Sequence, residues 1–370
     1  GSTSVKTRLT LPDGAVGYTV EGKATLDETI AGGKIVRTST LAGGVWTVVT
    51  RAAGSGAEIP ASAIPVERRR LADLKAQPLR IVAPDPAPAY WQQAEEAKRR
   101  KLTAPMLAVL TKRIADKPDK AERYAARAWF YASIYDRTAA IADLTKAIEI
   151  EPTANLHLRR ASLYYALSDT KKALADATAA RDLDPESVEA ITRLAEAQAE
   201  GGDREGALAL LQDRIDVGGD NKPELIGAKA QVQADGGDRD GAFATLDAGI
   251  AEHPGNTSLL NARCWIRGLT NTALDGALKD CTKAIELSSS SVAALDSRAL
   301  AYFRMGRAEE ALTDLEAVLK QAPDKAESLY LRALIRQRTG NAAGAAMDLK
   351  GAKTIWPRVA EPYVKYGVGD

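Results

Sequence analysis

The sequence predicts a mainly α-helical solenoid of stacked helix-turn-helix repeats, preceded by a small α+β module of antiparallel strands. Three observations carry this. Segments like AIADLTKAIEIEP recur with starts at Ala140, Ala173, Ala207, Ala242, Ala277, Ala311 and Ala345, a spacing of 33 to 35 residues that fits helical-hairpin repeats. In five of these copies an arginine precedes an aspartate by 16 or 17 residues. Before about residue 83 the texture is instead one of alternating Val and Thr with Gly-rich turns, the period of half-buried strands.

In chain order, residues 3–83 form the α+β module. Strands are expected at 5–11, 16–21, 24–30, 34–41 and 44–51, with Pro12-Asp13-Gly14, Ala31-Gly32-Gly33 and Ala42-Gly43-Gly44 as turns. A helix over 65–76 starts on a proline, which suits a first turn, and a strand follows at 79–82. Residues 84–91 form a stiff connector through Pro84, Pro86 and Pro88. Residues 92–357 hold about eight repeats. The first is degenerate, with helices at 92–101 and 104–117, Thr103 as N-cap and Pro105 in the first turn. The proline register still holds, since Pro118 to Pro152 is again 34 residues. In the later units a proline ends the second helix because it lacks an N–H and disfavours helix in the residue before it. Residues 358–370 form a carboxy-terminal cap, a short helix that packs Tyr363 on the last repeat.

The repeats resemble the tetratricopeptide repeat family. Its small residue followed three positions later by an aromatic is met by Ala128 and Tyr131, Ala161 and Tyr164, and Ala299 and Tyr302. Turn glycines stand at Gly202, Gly237, Gly306 and Gly340, and second helices read as Ala140, Leu144, Ala147 and Pro152 do. The resemblance implies a right-handed superhelix whose first helices line a concave face that binds peptides or helices. The pairs Arg127/Asp143, Arg160/Asp176, Arg263/Asp280, Arg298/Asp314 and Arg332/Asp348 then join the two helices of a hairpin as partly shielded structural ion pairs. Their repetition argues against catalysis, which needs a site once.

The amino-terminal module resembles the β-rich segment that follows the core of bacterial multidomain transglutaminase-like proteins. The likeness rests on LPDG (11–14), GGKIVRTSTLAGGVWTVVTR (32–51), EIPASAIP (58–65) and RIVAP (80–84). That family works through a Cys-His-Asp set upstream of this segment, so its activity does not carry over to these residues. The opening Gly1-Ser2 reads as an expression scar, and a signal peptide or upstream domain would lie before it.

With 50 basic and 49 acidic residues the net charge is +1, which gives no electrostatic reason to expect nucleic acid as a partner. No apolar run reaches the roughly 18 residues of a membrane span. The two histidines, His157 and His253, lie in different repeats and read as structural. Gly201-Gly202-Asp203 and Gly236-Gly237-Asp238 lack the Lys-Ser/Thr of a phosphate loop. With two Cys and two His dispersed, no metal spacing exists, and no cofactor or catalytic residue is expected.

Cys264 takes a small-residue position on a first helix and Cys281 a large-apolar position on the second helix of the same repeat. NARCWIRG with LKDCTKAIEL resembles tetratricopeptide units of exported bacterial proteins, which implies a periplasmic or exported setting where a disulfide is permitted. Two buried reduced thiols is the other reading, and both stand open.

Carrying over the family's exposed first-helix positions gives Trp129, Ser162, Glu196, Gln231, Trp265, Leu300 and Leu334 as one row, with Asn261, Asp296 and Tyr330 one turn earlier. Tyr165 and Phe303 lie near the same face. The family's carboxylate clamp for chaperone tails needs Lys and Asn at these positions, and that pattern is absent. The aromatics either anchor a partner or pack on the neighbouring helix. Glu189, Glu196, Glu200, Glu224 and Asp235 make the middle section acidic, so the face suits a peptide with apolar anchors and some positive charge. The leading expectation is therefore a non-catalytic protein-interaction scaffold for a protein or peptide. The alternatives are the accessory region of a larger transglutaminase-like or cysteine-peptidase-like enzyme, and a structural spacer whose groove is filled by its own side chains.

Overall fold

The computed structural model describes residues 2–30, 32–54, 56, 58–76, 78–82, 89–288 and 291–369. They divide into two units, Gly1–Pro88 and Ala89–Asp370. The expected turn at Ala31 and the proline connector from Pro84 to Pro88 lie outside the described residues.

The first unit holds β1 (Ser2–Thr10), β2 (Thr19–Glu21), β3 (Thr25–Ile30), β4 (Gly33–Ala42), β5 (Val45–Gly54), α1 (Ile64–Ala76) and β6 (Arg80–Val82). Four strands form an antiparallel sheet in the order β1-β5-β4-β3, and β2 pairs with β6. The β4–β5 hairpin turns through Gly43 and Gly44, both at positive φ, the geometry whose twist matches two antiparallel strands. The strand expected from Val16 starts only at Thr19, because Ala15 and Gly17 take positive φ and bend the chain there. Leu11, Leu26 and Ile30 are its buried apolar residues.

The second unit is helical throughout. After α2 (Tyr90–Arg99) and α3 (Ala104–Asp116) come seven hairpins. They are α4/α5 (Ala121–Ser133, Arg137–Ile150), α6/α7 (Ala154–Ala166, Thr170–Leu183), α8/α9 (Val188–Glu200, Arg204–Val217) and α10/α11 (Lys222–Asp235, Arg239–Glu252). The last three are α12/α13 (Thr257–Thr270, Leu274–Leu287), α14/α15 (Val292–Arg304, Ala308–Gln321) and α16/α17 (Ala326–Arg338, Ala342–Ile355), and α18 (Glu361–Lys365) ends the chain.

The turn inside five of the seven hairpins has a repeated cause. One residue at positive φ, such as Ser168, Gly202, Gly237 or Gly340, reverses the chain. The next residue then N-caps the second helix: Asp136, Asp169, Asp203, Asp238 and Asn341 each accept a hydrogen bond from a backbone N–H three residues on. Close helix approach is made by alanines with almost no exposed surface, among them Ala140, Ala147, Ala161, Ala173 and Ala177.

In five hairpins an arginine of the first helix donates Nε and Nη2 to both oxygens of an aspartate on the second, at 2.6–2.8 Å. Arg127 meets Asp143 in this way, Arg160 meets Asp176, Arg263 meets Asp280, Arg298 meets Asp314 and Arg332 meets Asp348. Within each pair the aspartate is the more shielded member. Asp143, Asp176, Asp280, Asp314 and Asp348 are all buried, with 3–6% of their surface exposed, whereas their arginine side chains keep 16–19%. The reason is position: each aspartate stands three residues after a buried alanine, Ala140, Ala173, Ala277, Ala311 or Ala345, and so shares the face on which the helices touch. Asp280 and Asp348 each take a second guanidinium as well, from Arg267 and Arg336 at 2.6 and 2.7 Å.

In four of the five pairs Nη1 also reaches back to the preceding second helix, at Thr111, Thr145, Asp247 or Thr282. One guanidinium thus ties three helices, with the fork geometry that a lysine lacks. Tyr131, Tyr164 and Tyr302 lie under three of these guanidiniums at 5.8–5.9 Å.

The helical unit also closes on itself. Helix α2 packs on α17: Trp91 is buried in the core of the last repeats, Lys350 pairs with Glu95 at 2.6 Å, and Gly351 gives room for the Trp91 indole. Asp324, in the turn before α16, accepts from the Trp91 N–H and the Tyr135 hydroxyl. Arg137, at the start of α5, donates to the carbonyls of Thr354 and Ile355 at the end of α17.

Candidate functional site

The chain's own carboxy-terminal segment lies against first helices from α6 to α16, the helices that the resemblance sets on a concave face. Arg358 stacks over the Tyr165 ring at 4.4 Å, donates to the Tyr165 carbonyl and pairs with Glu200. Tyr363 is fully buried, edge-on to Trp265 at 6.2 Å and tilted against Tyr330 at 5.0 Å, with its hydroxyl donating to the Glu327 carbonyl. Lys365 Nζ and the Tyr366 hydroxyl both reach Asp235 Oδ1 at 3.0 Å. Arg304, at the end of α14, donates to Gly268 and Leu269 on one side and to Tyr366 and Gly367 on the other, so one side chain satisfies the carbonyl ends of two helices. A segment this short touches first helices from α6 to α16 only because it sits inside the curve.

The structure places the expected groove residues in three settings. Trp129 is 58% exposed on α4, beyond the reach of the segment. Tyr165 and Trp265 contact the segment directly, and Gln231 donates to the Asp235 carboxylate that holds its end. Glu196 pairs with Arg193 at 2.8 Å. Asn261 Oδ1 is buried with no hydrogen-bond partner among the described residues. Asp296, Phe303 and Tyr330 correct the expectation of an open row, since all three are buried. Tyr363 covers Tyr330, Arg338 lies 4.6 Å from the Phe303 ring, and Ser328 donates to Asp296. The buried carboxylates of Asp143, Asp280 and Asp348, like those of Asp176 and Asp314, have both oxygens accepting from arginine and serve the repeat rather than the groove.

Electrostatics follow from this packing. Burial pushes the Asp296 carboxyl up to about 6, with Lys325 and Ser328 opposing the shift. The Glu196 side chain is 47% exposed. Desolvation raises its pKa, Asp235 and Glu200 add to the rise, and Arg193 opposes it. Burial and then Glu200 push the Tyr165 hydroxyl up to about 12.

Cys264 and Cys281 form a disulfide between α12 and α13, fully buried beside Ala277 and Ala301. His157 Nδ1 lies 2.8 Å from Asp176 Oδ1, on the carboxylate that also holds Arg160. Among the described residues no group of three or more His, Cys, Asp or Glu is placed to hold a metal ion, and no helix is long and apolar enough to cross a membrane. The inward course of residues 358–369 and the closure through Arg137 had no sequence signal beyond the charges of Arg358 and Lys365.

Models of the tetratricopeptide repeat match residues 164–232 and 297–359. No curated protein matches the chain. Among solved structures, yeast Tom70 is similar with a TM-score of 0.55 at 15% identity, over 85% of this chain and 75% of that one. A tetratricopeptide repeat protein from Parabacteroides merdae has a TM-score of 0.44 at 17% identity, over 67% of this chain and 98% of its own. PilW, a type IV pilus biogenesis factor, has 0.38 at 18%, over 55% and 94%. Neither matched segment reaches the amino-terminal unit, and its likeness to the transglutaminase-associated segment stays a resemblance. The helical unit is thus a repeated, tetratricopeptide-like array, two stretches of which match models of that repeat, a fold that in general serves as a non-catalytic protein-interaction scaffold.

Proposed function

We propose that the helical unit binds a protein segment on its concave first-helix face and does no chemistry of its own. The observation that supports this is that the face already holds such a segment, residues 358–368, through ring packing and carboxylate pairs. A buried aromatic anchor with charged contacts around it is how tight interfaces are organised. Nothing among the described residues favours the alternative of an accessory region to a transglutaminase-like enzyme. The filled groove does favour a second reading, a closed structural spacer.

Fluorescence anisotropy over a peptide library separates the two. Binding to the full chain that is lost in Trp129→Ala or Glu196→Lys, and kept in Lys146→Ala on an outer helix, supports the scaffold. Binding that ignores the concave substitutions, or none at all, supports the spacer.

A further inference from the structure

A cap for the last repeat needs contacts only with α16 and α17, because repeats bury their apolar faces against nearest neighbours. Residues 358–369 do more than that. Arg358 and the Lys365–Tyr366 pair reach Tyr165, Glu200 and Asp235, on α6, α8 and α10, three to five repeats back. The far contacts differ in exposure: the side chains of Arg358 and Glu200 are 11% and 25% exposed, whereas those of Lys365 and Asp235 are 48% and 39% exposed, and exposed pairs of the latter kind are individually weak and screened by salt. Within the segment Tyr363 is buried between Trp265 and Tyr330, and Val359 and Val368 are buried as well.

We infer that this segment occupies the place of a partner, and that the partner is a segment of another protein with the same chemistry: an arginine, a tyrosine five residues later, then Lys-Tyr two and three residues after that. This rests on the reading of the concave face as a peptide-binding surface. The receiving groups choose the chemistry. Glu196, Glu200 and Asp235 set three carboxylates along one strip of the groove, so a basic segment is drawn and an acidic one repelled. The Trp265 and Tyr330 rings select an aromatic anchor between the basic ends. Because the chain's own segment is tethered, its effective concentration is of order millimolar. A free segment of equal intrinsic affinity therefore meets a groove that is mostly closed, and its apparent affinity falls by the fraction open.

The test cuts the tether after folding, at a protease site inserted between Pro357 and Arg358, and uses a fluorescent peptide with the sequence of residues 356–370. Binding at least tenfold tighter to the cut chain than to the intact one is expected, weakening as salt rises. A peptide with Arg358 and Lys365 exchanged for glutamate should bind neither form. An intact chain carrying Glu200→Lys and Asp235→Lys should reverse this preference and take the exchanged peptide, which keeps the idea testable if the cut chain unfolds. Equal binding before and after the cut, or equal binding of both peptides, overturns the proposal. If unrelated peptides bind the concave face and this one does not, the scaffold reading stands and the mimicry falls. If the cut or charge-reversed chain instead dimerises with concentration in sedimentation, the occupant is a second copy, and a separate partner is excluded.

Discussion

Arg137 tests whether the helical unit is closed. Its Nη2 donates to the Thr354 and Ile355 carbonyls at 2.8 and 2.6 Å, groups 217 and 218 residues away in sequence that α17 leaves without partners at its end. The guanidinium also lies 5.8 Å from the Tyr135 ring. Hydrogen bonds to a charged group contribute about 1.5–3 kcal/mol each, and a cation at a helix C-terminus up to about 1 kcal/mol more. Desolvation opposes this, since burial pushes the Arg137 pKa down. A net of about 2 kcal/mol remains, and Arg137→Met keeps most of the stem's packing while removing it. At about 1.4 kcal/mol per factor of ten, the amides of α17's last turn and of α2 should exchange about 30 times faster in native-state hydrogen exchange. Helices α8 to α11 should be unaffected. In an open solenoid a change in α5 reaches only its neighbours. Unaltered protection of both α17 and α2 in Arg137→Met would refute closure.

Three further outcomes follow from the packing. The native Asp296 carboxyl keeps its proton up to about pH 6, whereas in the unfolded chain it releases it near 3.8. The native state therefore binds more protons between those values, and its stability falls as pH rises through that window. Asp296→Asn should remove this fall, by at most about 2–3 kcal/mol, and urea midpoints measured from pH 4 to 7 would show it; an unchanged pH slope counts against the assignment. Asp314→Ala should cost about 3 kcal/mol because it strands the Arg298 guanidinium, and adding Arg298→Met should restore part of that loss in thermal melts; equal losses in single and double variants contradict the pairing. A Cβ at Gly351 would stand 2.7 Å from the Trp91 indole. Gly351→Ala should thus deprotect α2 in hydrogen exchange even though alanine favours helix by about 1 kcal/mol, and undisturbed protection of residues 90–99 would contradict a tight Trp91–Gly351 contact.

What the sequence makes legible is whatever recurs. A 34-residue register is visible because each hairpin repeats the same local demands: alanine at the helix contact, a capping residue after a left-handed turn, a proline or extended residue at the end. An arginine and an aspartate 16 or 17 apart meet for the same reason, since an antiparallel hairpin brings those positions side by side. How deeply the aspartate sinks is less legible, because a charged residue among alanines reads as exposed until the neighbouring helix is in place. What is not legible at all is whatever happens once. The packing of α2 on α17 depends on the accumulated curvature of seven hairpins, and no window of sequence encodes that sum. The burial of Tyr330, Phe303 and Asp296 is similar. Each stands at a position that faces outward in an isolated repeat and is covered here by a residue from the segment or from a neighbouring unit. Trp129, one end of the same row, stays open. The β4–β5 hairpin was readable down to its two glycines, whereas the late start of β2 was not, since positive φ at Ala15 has no compositional mark.

Closure and the inward segment are two separate locks on the concave face, and their contacts rank them. The ring is joined by a tryptophan with 4% of its surface exposed, by two carbonyls held on one guanidinium and by a carboxylate shared between Trp91 and Tyr135. Trp91 is buried and the polar groups around it are partly shielded, so breaking them strands several hydrogen-bonding atoms together. The Lys365 and Tyr366 side chains are joined by a half-exposed ion pair and a hydroxyl on the same oxygen of Asp235, contacts that water and salt can replace one at a time, while Arg304 holds the Tyr366 and Gly367 carbonyls from the other side. Release should therefore begin at those two side chains and stop at Tyr363, whose ring has no exposed surface. That order makes the acidic strip on α8 and α10 the first part of the groove to open and the Trp265–Tyr330 pocket the last. A competitor thus gains its first hold through positive charge and completes it only with an aromatic ring.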